Sequence, residues 1–233
     1  MNHANVISYV EKGVFVKDET NYPYLVTKYV QGSLVADPLT KGRIFSLDMA
    51  LNIVKNALKG LAHIHSLGLV HNDITPRNII YYPKNLSTTT IIDLAHVSAP
   101  GTDVHSFETS DLTNYFRAPE TYNYVFDERS DIYAMAAVLY AMLFGKAPWY
   151  SESEENLSYE KMKEVTFERL SFSGSLDKCP PWLQAILKMC LSFDPNRRIQ
   201  TAEDFLQALE REECPRTWKI TRKDRVCPSR REV

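Results

Sequence analysis

The segment His71-Asn72-Asp73-Ile74-Thr75-Pro76-Arg77-Asn78 places a carboxylate and a carboxamide five residues apart. On a loop, that spacing lets Asp73 and Asn78 face one site. The carboxylate can orient a hydroxyl and accept its proton, and the amide oxygen can ligate a magnesium ion. Ile91-Ile92-Asp93 begins thirteen residues after Asn78. A carboxylate at the end of an apolar strand is placed to be a second metal ligand. Acidic and amide oxygens of this kind suit Mg²⁺ bridging two phosphates. His71, beside them, reads as a packed core histidine.

The elements that must hold these residues can be read from periodicity. Ser46 has the character of a helix N-cap. Leu47, Ala50, Leu51, Val54, Ala57, Leu58, Leu61 and Ile64 follow at helical spacing, and Gly68 ends the run. Short strands and loops are expected over residues 69–97, and then a polar stretch up to Arg117. Residues 131–144 are apolar nearly all round, which predicts a helix buried on every side. Pro180-Pro181-Trp182 opens a further helix, and Thr201-Ala202-Glu203-Asp204 resembles a capping box opening another. Near the start, Val14-Phe15-Val16 and Tyr24-Leu25-Val26 read as two strands around a polar turn over residues 17–23.

The 233 residues suffice for one sizeable core, with 44% hydrophobic and 24% charged residues. A net charge of −2 argues against nucleic acid or an anionic membrane as the main partner. The tail is the exception: residues 211–233 hold eight Lys or Arg against four Asp or Glu. Its only large apolar residues are Trp218, Ile220 and Val226, so it is expected to be loosely held or to bind a partner. The longest apolar run, residues 134–144, is too short to cross a bilayer. Cys179, Cys190, Cys214 and Cys227 lack any zinc or redox spacing, and no secretory signal opens the chain, so reduced thiols in a cytoplasmic setting are expected. The eight glycines are scattered, with no two closer than Gly60 and Gly68, so no phosphate-cradling glycine loop can be written from them.

The loop of residues 71–78 resembles the protein-kinase catalytic loop, and Asp93-Leu94-Ala95 is similar to the kinase metal-binding Asp-Phe-Gly. Thr113-Asn114-Tyr115-Phe116-Arg117-Ala118-Pro119-Glu120 resembles the end of the activation segment. The run from Ser130 and Asp131 resembles the central buried helix, and Asp194-Pro195-Asn196-Arg197-Arg198 the motif before the last helix. His3-Ala4-Asn5-Val6-Ile7 resembles the entry to the fourth strand, and Tyr24-Leu25-Val26-Thr27-Lys28-Tyr29-Val30 the fifth strand and hinge. Five elements in family order at family spacing are far more specific than one His-x-Asp. The resemblance covers residues 3–210.

The resemblance implies an α+β, mainly α fold, a kinase-like C-lobe with an N-lobe remnant of two strands and hinge. It implies three units: 1–30 as the remnant, 31–210 as the C-lobe and 211–233 as the basic tail. It implies ATP and Mg²⁺ as cofactors. Asp73 would be the catalytic base and Asn78 and Asp93 the metal ligands. Thr27 would stand at the gatekeeper position, Lys28, Tyr29 and Val30 would face the adenine edge, and Ile80 would form part of the adenine floor. Glu120 would pair with Arg198, and Asp131 would anchor the catalytic-loop backbone. Thr113 favours a Ser/Thr over a Tyr substrate.

The sequence departs from the family pattern at four points. Asn72 replaces the usual Arg, which argues against control by activation-loop phosphorylation. Thr75 replaces the usual Lys, and Arg77 is positioned to supply that charge. Leu94-Ala95 replaces Phe-Gly. The first three strands, the glycine loop and the phosphate-binding Lys are not found ahead of residue 3, which points to a fragment or to dependence on a partner. The first reading is therefore a Ser/Thr-type protein kinase acting on a protein substrate. The alternative is a pseudokinase or decoy binding a partner protein at the exposed surface that faces the upper lobe. A small-molecule phosphotransferase is a third, disfavoured by Ala118-Pro119-Glu120 and Arg198.

Overall fold

A computed structural model describes residues 2–102, 115–148 and 179–215. The expectations for Thr113, for the tail beyond residue 215 and for Cys227 lie outside the described residues.

Tyr9–Lys17 (β1) and Thr20–Thr27 (β2) form an antiparallel hairpin with Lys17 opposite Thr20. The polar turn expected over residues 17–23 shrinks to Asp18 and Glu19, both at positive φ (49° and 61°). A two-residue turn with this backbone twist matches the twist of the strands, so the ladder runs almost to the tip. Nearly every residue of the hairpin is exposed, including Val14, Phe15, Val16 and Leu25.

Ser33–Leu34 (β3) pairs with Ile79–Tyr81 (β4), which pairs with Thr90–Ile91 (β5), all antiparallel. Gly32 makes the approach to β4 possible: a Cβ there would lie 2.4 Å from the Tyr81 carbonyl oxygen, and its φ is +152°. Residues 5–7 lie along the far side of β5, with Ile91 N–H donating to Asn5 O and Ile7 N–H to Ile91 O, both at 2.9 Å. The Asn5 amide donates to Thr89 O (2.7 Å) and Ser87 O (3.1 Å). Gly60 lets this segment sit against the following helix, because a Cβ there would come within 2.5 Å of Asn5 O.

The helices follow their sequence signals. A short turn of helix spans Ala36–Leu39 (α1). Leu47–Ser66 (α2) starts where Ser46 accepts the Met49 N–H and buries Ala50, Leu51, Ile53, Val54, Ala57, Leu58, Leu61 and Ile64. Glu128–Phe144 (α3) is buried at every position from Ser130 to Leu143. Such a helix cannot be positioned by a face; packing on all sides fixes it. Asp127 and Ser130 close its first turn as a capping box. Pro181–Cys190 (α4) and Ala202–Arg211 (α5) complete the core, the latter capped by Thr201 accepting from Asp204 N–H. No helix among the described residues is long and apolar enough to cross a membrane.

One buried cation joins the segments around α3. Arg198 is fully buried and donates from Nη1 and Nη2 to the two Glu120 oxygens at 2.6 and 2.7 Å. Its remaining N–H groups reach Ser192 O, Arg129 O and Phe193 O, and the guanidinium stacks 4.9 Å from the Tyr133 ring centroid. All five donors are thus satisfied, the condition under which a buried charge is tolerated. The Ser130 hydroxyl also donates to Glu120. Glu120→Ala leaves Arg198 buried and unpaired, and is expected to lower unfolding stability by ~3–5 kcal/mol. Arg197→Ala, whose side chain is 73% exposed and 3.8 Å from Asp194, is expected to stay within ~0.5 kcal/mol. Urea titrations of the two variants check the contrast.

Candidate active site

The site is built outward from the first turn of α3. Asp131, 1% exposed, accepts the His71 N–H on Oδ2 (2.7 Å) and the Asn72 N–H on Oδ1 (3.0 Å). His65, near the end of α2, brings Nε2 to 2.9 Å from Asp131 Oδ2. The expected anchoring of the catalytic loop by Asp131 is therefore present. The role of His65 is not legible in the sequence, since it follows from α2 ending against α3.

Two residues here hold left-handed backbone, Asn72 (φ 66°) and Asp93 (φ 61°). Both are of the types that adopt it most readily, because their short side chains bond the local backbone. Asp93 Oδ1 accepts from Ala95 N–H at 3.1 Å. Asn72 reaches further: its Nδ2 donates to His96 O (2.8 Å) and Ser98 Oγ (2.9 Å), next to a backbone bridge between Val70 and Ser98. Sequence reasoning treats Asn72 only as the loss of an arginine. In the fold it ties the catalytic loop directly to the segment following Asp93.

The Pro76–Asn78 turn carries Asn78 to the start of β4. The register Ile79↔Ile91 sets Asn78 beside Ile92, whose N–H donates to Asn78 O at 2.8 Å. Asp93 is the next residue, so the β4–β5 pairing brings both expected metal ligands to one end of the sheet. Asn78 Nδ2 donates to Asp73 O (2.8 Å) and to Asp73 Oδ2 (2.6 Å). With the nitrogen committed to Asp73, the Asn78 amide oxygen is left over. Asp93 is exposed and forms no ion pair among the described residues. These oxygens are hard donors of the kind Mg²⁺ takes, and they fit such an ion. No cluster of three or more His, Cys, Asp or Glu suited to a metal occurs among the described residues.

Of the expected nucleotide contacts, Thr27, Lys28 and Tyr29 lie exposed at and beyond the end of β2, and Val30 is half-buried. Ile80 sits half-buried in β4, opposite Leu34 and Thr90. Arg77 is exposed. Arg117 has no signal in the sequence beyond its place in the activation-segment motif. Burial lowers its pKa from the ordinary arginine value, while Tyr122 and Asp73 act to raise it, so its guanidinium stands in the field of Asp73. His71 is fully buried, and its Nδ1 accepts from Asp73 N–H (3.3 Å). Burial depresses its pKa, against the fields of Asp131, Asp73 and Asp93.

The comparisons with known proteins agree with this geometry. The family model described as protein kinase domain matches residues 1–209. Over 205 residues the chain is 26% identical to the serine/threonine-protein kinase PrkC of Bacillus subtilis, covering 88% of this chain and 31% of that protein. It is 26% identical over 234 residues to the serine/threonine-protein kinase PknB of Mycobacterium leprae, covering 97% and 37%. It is 30% identical over 221 residues to ribosomal protein S6 kinase alpha-6 of Mus musculus, covering 92% and 28%. The chain belongs to the protein kinase family. It spans about a third of the length of these curated relatives.

The state of His71 gives this site a pH dependence. Its folded pKa lies below the ordinary value of 6.5. Above that value the imidazole is neutral in both folded and unfolded chains and costs nothing. As pH falls through 6.5 the unfolded chain takes up a proton that the folded chain refuses, so stability declines. Chemical denaturation between about pH 7.5 and 5.5 is expected to show this decline. His71→Gln is expected to be less stable at the upper end of that range but to have a shallower slope toward acid.

Proposed function

We propose that this chain transfers the γ-phosphoryl group of ATP to a serine or threonine hydroxyl of a protein substrate. The observation that carries the reading is the Asn78 amide holding both the backbone oxygen and the carboxylate of Asp73. It fixes the carboxylate while leaving Asp73 Oδ1 and Asn78 Oδ1 without a hydrogen-bonding partner among the described residues. Asp73 Oδ1 would accept the proton of the substrate hydroxyl as it attacks. Asn78 Oδ1 and the Asp93 carboxylate would hold Mg²⁺, which when bound neutralises phosphate charge. Ile80 would support the adenine ring from below, with Thr27, Lys28, Tyr29 and Val30 along its edge. Arg77, four residues past Asp73, would add positive charge on the acceptor side. The choice of serine or threonine over tyrosine rests on the likeness to the serine/threonine-protein kinases PrkC and PknB. A cytoplasmic setting belongs to the same reading, supported by the free thiols of Cys179, Cys190 and Cys214.

Catalysis of this kind is mostly positioning and charge stabilisation. The fixed loop, with two backbone amides on Asp131 and the Asn78 amide on Asp73, supplies the first.

A second reading has its own observation. The β1–β2 hairpin exposes Val14, Phe15, Val16, Tyr22, Leu25 and Val26 on both faces. Apolar surface of this extent favours association, so the hairpin would be where a partner protein docks, whether or not this chain transfers phosphate.

Thermal unfolding with and without Mg-ATP separates the two. The wild-type chain is expected to melt several degrees higher at nucleotide well above Kd, and Asp93→Asn to lose most of that shift. Asp73→Asn is expected to keep the shift and to lose ~10²–10⁴-fold in phosphoryl transfer. If Mg-ATP moves neither the wild type nor Asp93→Asn, the enzyme reading fails for this chain alone.

A further inference from the structure

Beside the catalytic loop lies a cavity of about 410 Å³, lined chiefly by apolar groups from α1, the loop and the end of α3. Leu39, Pro76, Phe116 and Ala141 form much of its wall. A much smaller depression containing Asp73 adjoins it, and Thr75 and Phe116 line both. A ligand seated in the larger cavity is therefore next to the proposed base.

Three observations bear on what that ligand is. Among the described residues, the charged groups lining the cavity are Arg77 and Lys146, and both are exposed. Among the described residues neither has a carboxylate partner, and no Asp or Glu contributes to the lining. Asp37, the carboxylate on α1, is occupied in accepting the Leu34 N–H at 3.0 Å and does not line the cavity. Thr75 is 3% exposed, and its hydroxyl finds no hydrogen-bonding partner among the described residues. A buried hydroxyl left unpaired beside a cavity is unfavourable until something polar enters.

We propose that this cavity selects the protein substrate, taking an extended segment with a bulky apolar side chain and an acidic residue within a few positions of the phosphorylated hydroxyl. The apolar wall receives the first, and Arg77 and Lys146 meet the second. The Thr75 hydroxyl bonds the segment's backbone or hydroxyl. The inference rests on the kinase reading only for the reacting hydroxyl. The charge preference belongs to the cavity and holds whether or not phosphate is transferred. Two cations at its rim also disfavour segments rich in Arg or Lys, so selection comes from repulsion as well as attraction.

The test is fluorescence anisotropy with the full 233-residue chain and no nucleotide. The labelled peptides share one serine and one leucine and differ only in carrying Glu, Gln or Arg at the neighbouring positions. The Glu peptide is expected to bind about tenfold more tightly than the Arg peptide, the combined effect of two exposed charge contacts. The gap is expected to narrow as salt rises from about 0.05 to 0.5 M. Combining Arg77→Glu with Lys146→Glu is expected to reverse the order. Both residues are exposed, and circular dichroism checks that the double variant is folded. Equal binding of all three peptides, binding of none, or an order unchanged in the folded double variant overturns the proposal. Because no step requires ATP, the peptide order tests the cavity even in a chain that fails to transfer phosphate.

Discussion

The site depends on one carboxylate at the beginning of a buried helix. Asp131 takes the amides of two consecutive loop residues and the ring of His65, so the helix start, the catalytic loop and the end of α2 share one point. A carboxylate that is 1% exposed must have its lone pairs filled or it destabilises the fold. Filling them is what bends the loop, because amides at residues 71 and 72 can converge on one carboxylate only if the backbone turns between them. Asn72 at φ 66° is that turn. The loop geometry is thus a consequence of satisfying a buried charge, and Asp73 is placed as the next residue along.

Such an anchor works only if the helix carrying it cannot move. The α3 helix has no polar face that could choose an orientation in water. Its position is set by α2, α4 and α5 packing around it, and by Arg198 clamping the segment before it. The guanidinium bonds Glu120 on one side and the carbonyls of Arg129, Ser192 and Phe193 on the others. Rigidity therefore passes from the core, through α3, to the loop.

Much of this is legible in the sequence because it depends on local signals. Ser46 and Thr201 cap helices where the sequence signals place caps, and the all-round apolar character of α3 foretells its burial, although its start at Glu128 behind the Asp127 cap lies ahead of the apolar run. The pairing of Glu120 with Arg198 and the anchoring by Asp131 come from motif resemblance, which carries tertiary information that periodicity lacks. What is not legible depends on contacts between distant segments. His65 lies on the half-polar side of α2, and only the arrival of α3 gives it a partner. Asn72 gains its acceptors from residues 96 and 98, whose return beside Val70 no spacing rule predicts. The hairpin turn reads too long in the sequence because Thr20, Asn21 and Pro23 are types that favour turns, yet in a strand solvated on both faces nothing selects against them.

The carboxylates near His71 differ in which oxygens remain available, and that separates structural from chemical roles. Both oxygens of Asp131 are engaged by hydrogen-bond donors. Asp73 has committed Oδ2 to Asn78, and Asp93 has committed Oδ1 to Ala95 N–H. Each of these two keeps an oxygen without a hydrogen-bonding partner among the described residues, and so does the Asn78 amide. An acidic group that the fold has already satisfied has nothing left to offer a ligand. One held by a single oxygen is fixed in place and still able to act. The neutrality of His71 is part of the same arrangement. A protonated imidazole amid Asp131, Asp73 and Asp93 would partly offset their negative charge, and burial prevents it. The three carboxylates around it thereby keep their negative potential.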